Sequence, residues 1–349
     1  MRVAFVYPNP RTRLAEDVRR GEAPDTGLLG QNHLAELGID AFVYDSALRR
    51  VNSARGLSHR VSWLAREATL PWELRAVDLI VTPLATLLPL FARLRSRPRV
   101  LLLSYGTVAL WRRSSAPRRA LLRASLRAAD AIVTISNAAR DHIVDEIGID
   151  EDRVRSLPFG IDDRFWRPEA SAGDGHVLTV GRDLARDYRT FVEALDGLDT
   201  RAVIVAKDEN LQGMSLPRNV EARTYIPVDE LRALYAGARC VVVPMVPDGD
   251  PRGTESSGNT ALLEAMACGR ATIATERESL REYVYDDAST VIRSGDPGAL
   301  RAAVERLVQS PGEAEAMGAA ARAHVEDRHT SRQFAAHLAE VIRWLEHGS

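Results

Sequence analysis

Residues 253–275 read GTESSGNTALLEAMACGRATIAT. Ser256, Ser257, Gly258 and Asn259 precede an apolar helical run that begins near Thr260 and closes before Gly269, and a β-branched extended run follows at once. A turn, a helix and a buried strand in that order make one repeat of a parallel sheet with helical crossovers.

Outward from this segment the same rhythm continues in both directions. In the second half the strand candidates are HVLTVG (176–181), RAVIVA (201–206), VEARTYI (220–226), RCVVVP (239–244) and STVIR (289–293). In the first half they are RVAFVY (2–7), IDAFVYD (39–45), DLIVTP (78–83), RVLLLSY (99–105), AIVTIS (131–136) and RVRSLPF (153–159). Helical patterns lie between them, among others over 28–37, 84–94, 117–128 and 137–147. Continuous apolar strands separated by helices mark parallel sheets covered on both faces.

Residues 158–175 (PFGIDDRFWRPEASAGDG) lose this rhythm and gather Pro, Gly, Asp and Ala, the composition of a linker, which puts a boundary near Pro168. With 349 residues the chain has room for two domains. The expected fold is α/β, with two tandem Rossmann-like, doubly wound domains, 1–167 and 168–325, facing a cleft. Helices close the chain: Phe334, Leu338, Val341, Ile342 and Leu345 form a helical stripe, and 326–349 is expected to pack back toward the first domain. In such sheets ligands bind beyond the carboxyl ends of the strands.

Composition narrows the function classes. The hydrophobic fraction of 45% and charged fraction of 27% describe a globular protein, not a disordered or fibrous one. The net charge of -2 hides an asymmetry: residues 1–167 hold 26 basic and 19 acidic side chains, and 168–349 hold 20 and 29. Cys240 and Cys268 lie in apolar runs, so no disulfide framework is implied and a reducing, cytoplasmic setting is expected. The opening MRVAFVYPNP reads as a strand and not as a signal peptide, and the longest apolar stretch, 83–92, is too short to cross a membrane.

A helix start rich in small residues offers free N–H groups and the positive end of the helix dipole, which suit a phosphate. Glu264, one to two turns further, can accept hydrogen bonds from a ribose beyond the phosphates; the alternative is a solvated helix residue behind an ordinary cap. In VLTVGRDLARDYRTFVEAL (177–195), Arg182 and Arg186 leave the carboxyl end of a strand, where a guanidinium can neutralise a diphosphate; the alternative is surface arginines in an Arg-rich chain. Asp248-Gly249-Asp250 sits in a Pro/Gly-rich turn, where Asp is favoured for backbone reasons, and no obligatory metal is expected.

Arg93, Arg95, Arg97, Arg112, Arg113, Arg118, Arg119, Arg123 and Arg127 form a basic run. It can face anionic lipid or an anionic acceptor, giving peripheral membrane association, or it can be a solvated helix face. No nucleic-acid motif accompanies it.

The order GR…RDY, PRNVEARTYIPVDELRALYAGARCVVVP, ESSGNTALLEAMACGRATIAT resembles the carboxyl-terminal domain of GT-B nucleotide-sugar glycosyltransferases, specifically the retaining GT4-like group. ISNAARDHI…GIDEDRVRSLPFGID looks like that group's passage into its interdomain linker, and GLLGQNHLAELGIDAFVYD is similar to its amino-terminal Gly-containing loop. The resemblance is specific over 130–275 and loose over 1–125.

It implies transfer of a sugar from a nucleoside diphosphate to an acceptor hydroxyl, with retention and no cofactor. It implies diphosphate on Arg182 and on the Gly258, Asn259 and Thr260 amides, with Arg186 in support, and ribose on Glu264. The nucleobase would lie near Tyr225, Ile226 and Pro227, the donor sugar near Glu255, Ser256 and Ser257, and the amino-domain side of the cleft near Gly27, Gly30, Tyr105 and Gly106.

The chain departs from the family at three places. Ser256 stands where the family's first glutamate is usual, with Glu255 one residue early. Asp187 stands at the family's diphosphate lysine, beside Arg186. No histidine follows RVLLLSYG, so no general base is nominated, and His33 reads as a packing or surface group. The other readings are a nucleotide-sugar epimerase on the same plan and an inactive sugar-nucleotide-binding relative.

Overall fold

The structure is a computed structural model that describes residues 1–45, 57–83, 87–94, 98–170 and 173–347. Arg95, Arg97 and the start of the helix expected over 84–94 lie outside the described residues. The chain forms two compact units, Met1–Pro158 with Ser331–Ser349, and Phe159–Thr330.

Unit 1 holds β1 (Arg2–Phe5), β2 (Asp40–Val43), β3 (Leu79–Pro83), β4 (Arg99–Ser104), β5 (Ala131–Thr134) and β6 (Val154–Ser156). Its helices are α1 (Thr12–Arg19), α2 (Leu57–Glu73), α3 (Leu88–Arg93), α4 (Thr107–Arg112), α5 (Ala116–Ala128) and α6 (Asn137–Asp145). Unit 2 holds β7 (His176–Val180), β8 (Ala202–Val205), β9 (Val220–Arg223), β10 (Ala238–Val243), β11 (Ala271–Thr275) and β12 (Ser289–Ile292). With them are α7 (Tyr188–Leu195), α8 (Asp208–Leu211), α9 (Val228–Gly237), α10 (Asn259–Ala267), α11 (Pro297–Gln309) and α12 (Pro311–Arg328), and α13 (Ser331–His347) returns to unit 1.

Among the described residues each sheet has six strands, paired in parallel throughout, in the orders β2-β1-β3-β4-β5-β6 and β12-β11-β10-β7-β8-β9. In unit 2 the chain leaves β7 for β8 and β9 on one side, then crosses to β10, β11 and β12 on the other. The order therefore reverses between β7 and β10, and the loops leaving their carboxyl ends diverge into a crevice.

Alternation along the strands explains why both faces need cover. In unit 1, Ala4, Ile80, Leu102 and Ile132 face Leu70, Leu88, Trp111 and Leu126 of the helices. Their neighbours Phe5, Leu79, Leu101 and Val133 face Phe334, Leu338 and Ile342 of α13. The expected helical stripe is thus the cover of one sheet face, each such side chain contributing about 1.5–3 kcal/mol by burial.

The division differs from the boundary near Pro168 because residues 159–166 pack with unit 2. The Phe159 N–H donates to Tyr283 Oη at 2.9 Å, the Ile161 N–H to His329 O at 2.8 Å, and Trp166 meets the Tyr235 ring edge-on at 5.5 Å. At the other end α12 runs to Arg328, so the last segment begins at Ser331 and not at 326. The helix expected over 28–37 is instead three single 3-10 turns over 25–28, 31–33 and 35–37. Leu29 (φ 54°) and Gly30 (φ 79°) turn the backbone left-handed, which an α-helix cannot absorb. A Cβ on Gly30 would come within 3.1 Å of Ala335 Cα, so the close passage of α13 demands glycine there.

Candidate functional site

The crevice of unit 2 is built by two loops that zip together. Beyond β7 and β10, the Val246 N–H donates to Ala185 O at 2.9 Å and the Asp187 N–H to Pro244 O at 3.0 Å, making an antiparallel bridge between Arg186 and Met245. This directs the Arg186 side chain inward, where only 4% of it is exposed. Its guanidinium lies against Gly181, at which a Cβ would overlap Arg186 Nε. Nε donates to Asp183 Oδ2 at 3.0 Å, while Nη1 is buried with no partner. A buried, half-satisfied guanidinium is costly, and an anion would complete it.

Asp187 is committed elsewhere. Its carboxylate caps α7, accepting from the Thr190 N–H at 3.1 Å and Thr190 Oγ1 at 2.6 Å. The position that departs from the family pattern is therefore a helix cap. Arg182 is exposed and sits over the Tyr225 ring, 4.9 Å from its centroid. Tyr225 itself is 71% exposed and left-handed at φ 55°, followed by Ile226 and by Pro227 at the start of α9. Strain in an exposed aromatic residue is a mark of functional loops.

The loop from Val246 to Gly258 is pinned by Arg277, which sequence reading missed. Arg277 donates to Val246 O at 3.2 Å and Thr254 O at 3.3 Å and pairs with Asp248 Oδ1 at 3.1 Å. The Glu278 N–H takes Asp248 Oδ2, and Arg252 takes Asp250, so both carboxylates serve the turn. Beyond it the hydroxyls of Thr254, Ser256 and Ser257 cluster at 3.1–3.2 Å, turning Ser256 toward Thr254, with Glu255 half-buried beside them. Gly258 then begins α10 with no side-chain cap, leaving the Asn259 and Thr260 amides for a ligand or water.

Glu264 is not a solvated helix residue. Its Oε2 accepts from the Tyr235 hydroxyl at 2.9 Å, and burial pushes its carboxyl up to about 7, against the opposing pull of Tyr235 and of the Arg186 charge. Arg186, Glu264, Tyr235 and the start of α10 thus form one constellation. Tyr235 had no signal in sequence beyond its place in an apolar helix.

In unit 1 the expected cleft residues lie in loops. A Cβ on Gly27 would meet Leu14 Cδ2 at 2.8 Å, and Tyr105 and Gly106 form the turn from β4 into α4. His33 Nε2 lies 2.6 Å from Asp25 Oδ2, and Ser331 Oγ donates to Asp25 Oδ1, so this group ties the 25–33 loop to α13. Among the described residues of the basic run, Arg113, Arg119, Arg123 and Arg127 are committed to backbone. Arg119 donates to Trp111 O and Arg112 O, Arg123 to Ile147 O, Arg127 to Gly148 O, and Arg112 pairs with Glu146. These bonds close the carboxyl ends of α4 and the turn after α6. No helix among the described residues is long and apolar enough to cross a membrane.

Residues 3–165 match the glycosyltransferase family 4 model and residues 182–340 the glycosyl transferase-like model. A GDP-mannose-dependent alpha-(1-6)-phosphatidylinositol monomannoside mannosyltransferase of Mycolicibacterium smegmatis is 30% identical over 285 residues, 74% of each chain. The alpha-maltose-1-phosphate synthase of the same organism is 25% identical over 63% of this chain and 65% of its own, a little under two thirds of its length. Among solved structures, sucrose-phosphate synthase from Thermosynechococcus elongatus superposes with a TM-score of 0.77 at 16% identity, covering 100% of both chains. Anabaena HepE, solved with UDP-glucose, gives 0.72 at 13% identity over 98% of this chain and 100% of that one.

Proposed function

The chain belongs to the GT4-type glycosyltransferases of GT-B fold, and from that premise we propose that it moves a glycosyl group from a nucleoside diphosphate sugar to an acceptor hydroxyl, with retention. The observation that carries this reading is the buried Arg186 guanidinium with its unpartnered Nη1, in one constellation with the uncapped start of α10. A diphosphate fits both: its oxygens accept from Nη1, from Arg182 once that side chain turns from Tyr225, and from the Asn259 and Thr260 amides. Negative charge builds on the departing diphosphate as the glycosyl bond breaks, and donors already in place stabilise it without reorganisation. These groups supply the charge stabilisation by themselves, so the proposal includes no metal.

Glu264 would then take the ribose hydroxyls, Tyr225 to Pro227 would flank the base, and Glu255 to Ser257 would flank the sugar. UDP-glucose in HepE and GDP-mannose for the mannosyltransferase share the ribosyl diphosphate and differ in base and sugar, so the shared part is what Arg186, the α10 amides and Glu264 would address.

A thermal-shift panel of UDP-, GDP-, ADP- and dTDP-sugars tests the donor. The matching one, at about 100 times its dissociation constant, stabilises by about 2.7 kcal/mol. Release of nucleoside diphosphate that depends on an acceptor, with an NMR assignment of the product anomer, tests transfer and retention. A protein that no nucleotide sugar stabilises, and that consumes none, overturns the reading.

A further inference from the structure

At the opposite end of the unit 2 sheet lies a cavity of about 410 Å³. Arg239 is the second residue of β10 and Arg270 immediately precedes β11, so the cavity opens at the amino ends of the strands whose carboxyl ends build the crevice. A six-residue strand separates the two by roughly 20 Å. Ala238, Gly269, Ala314 and Ala319 leave the space open, and their small side chains let the guanidiniums face it.

The charges around it do not cancel. Arg322, also at the wall, is committed to Asp163 O, Trp166 O, Ala267 O and the Glu326 carboxylate. Arg239 has Glu315, 3.9 Å away and 78% exposed, beyond hydrogen-bond distance. Arg270 donates Nε to Cys268 O and Nη1 to Ala238 O, and among the described residues no carboxylate pairs with it. Burial first, and the Arg239 charge with it, lower the Arg270 pKa against the pull of Cys268 and Glu315. Two neighbouring guanidiniums with one solvent-facing carboxylate leave a positive surplus in a pocket of ligand size.

We propose that this cavity binds a small oxyanion, the phosphate or carboxylate group of a metabolite, held between Arg239 and Arg270. The site is separate from the donor crevice and does not depend on how that crevice is used. Planar guanidiniums present paired donors that match two oxygens of either group.

The test is isothermal titration with inorganic phosphate and, separately, malonate, at constant ionic strength so that general salt effects cancel. It is run on the wild type and on Arg239→Gln, Ala319→Leu and Arg186→Ala. Ala319→Leu fills the cavity without removing a charge, and Arg239→Gln removes a charge whose only ion pair among the described residues is the distant Glu315. One saturable site is expected, weakened at least tenfold by Arg239→Gln and by Ala319→Leu and retained in Arg186→Ala. The tighter of the two anions names the group. Absence of a saturable site, or one that only Arg186→Ala removes, overturns the proposal. If nucleotide sugars fail to bind while this site persists, the donor reading falls and this one stands.

Discussion

The Tyr235 hydroxyl donates a 2.9 Å hydrogen bond to Glu264 Oε2, joining α9 to α10 inside the unit 2 core. Tyr235 is fully buried, and burial raises its pKa well above the ordinary value, so it stays a donor at every working pH. Its partner carboxyl titrates near 7, because burial outweighs that hydrogen bond.

Ribose hydroxyls donate best to an ionised carboxylate, so nucleotide affinity should rise between pH 6 and pH 8 with a midpoint near 7. Tyr235→Phe removes a group that favours ionisation and should move the midpoint upward. Titration calorimetry across that range checks this; a flat profile in the wild type rejects it.

Stability should run the other way. The folded carboxyl titrates above its ordinary value of 4.5, so its contribution is intact below about 4.5 and is lost as pH rises through about 7. Glu264→Gln should therefore raise the melting temperature more at pH 8 than at pH 5. Nucleotide affinity should fall in Glu264→Ala by roughly 10- to 150-fold, the range of a hydrogen bond to a charged group at ~1.5–3 kcal/mol. A 2′,3′-dideoxy nucleotide should be almost indifferent to that change. Equal losses for both nucleotides would show a purely structural Glu264.

Gly181→Ala places a methyl against Arg186 Nε and should displace that guanidinium. The expected result is weaker nucleoside diphosphate binding with nucleoside binding retained, the same pattern as Arg186→Ala and Arg182→Ala. Comparable losses for the nucleoside would remove the diphosphate from this corner.

Asp25 is buried, yet hydrogen bonds from His33, Ser331 and Asn32 hold its carboxyl below the usual range in spite of desolvation. A depressed folded pKa means stability present above the unfolded value and lost as pH falls through the folded one. Ser331→Ala should cost about 1 kcal/mol in urea unfolding at pH 7, and Asp25→Ala about 3–5 kcal/mol by stranding its partners. An unchanged midpoint in both variants would mean that α13 docks through its apolar face alone.

Arg119→Ser and Arg123→Ser remove donors from the carbonyls of Trp111, Arg112 and Ile147. Each should lower stability by about 1 kcal/mol or more while leaving sedimentation with anionic vesicles as in the wild type. A variant of wild-type stability that loses vesicle binding would return this helix to a lipid-facing role.

The strands among the described residues were legible in the sequence, from RVAFVY to STVIR: inner strands covered on both faces are apolar along their length, and edge strands such as β9, which buries Val220 and exposes Glu221, keep enough apolar residues to continue the rhythm. The turn before α10 and the arginines after β7 were legible too, since the carboxyl ends of such strands are where loops are free to carry polar groups. Their partners were not. Arg186 closing on Gly181, Tyr235 meeting Glu264, Arg277 pinning the loop, and Ser331 reaching Asp25 all join residues whose separation carries no periodic signal. The basic run shows the limit most clearly: charge count allowed a surface for anions or a solvated face, and tertiary structure gives Arg113, Arg119, Arg123 and Arg127 backbone carbonyls to hold. Strand and helix patterns follow from local burial, which each segment records in its own residues, whereas the pairing of a buried charge depends on which distant backbone the fold brings within 3 Å of it.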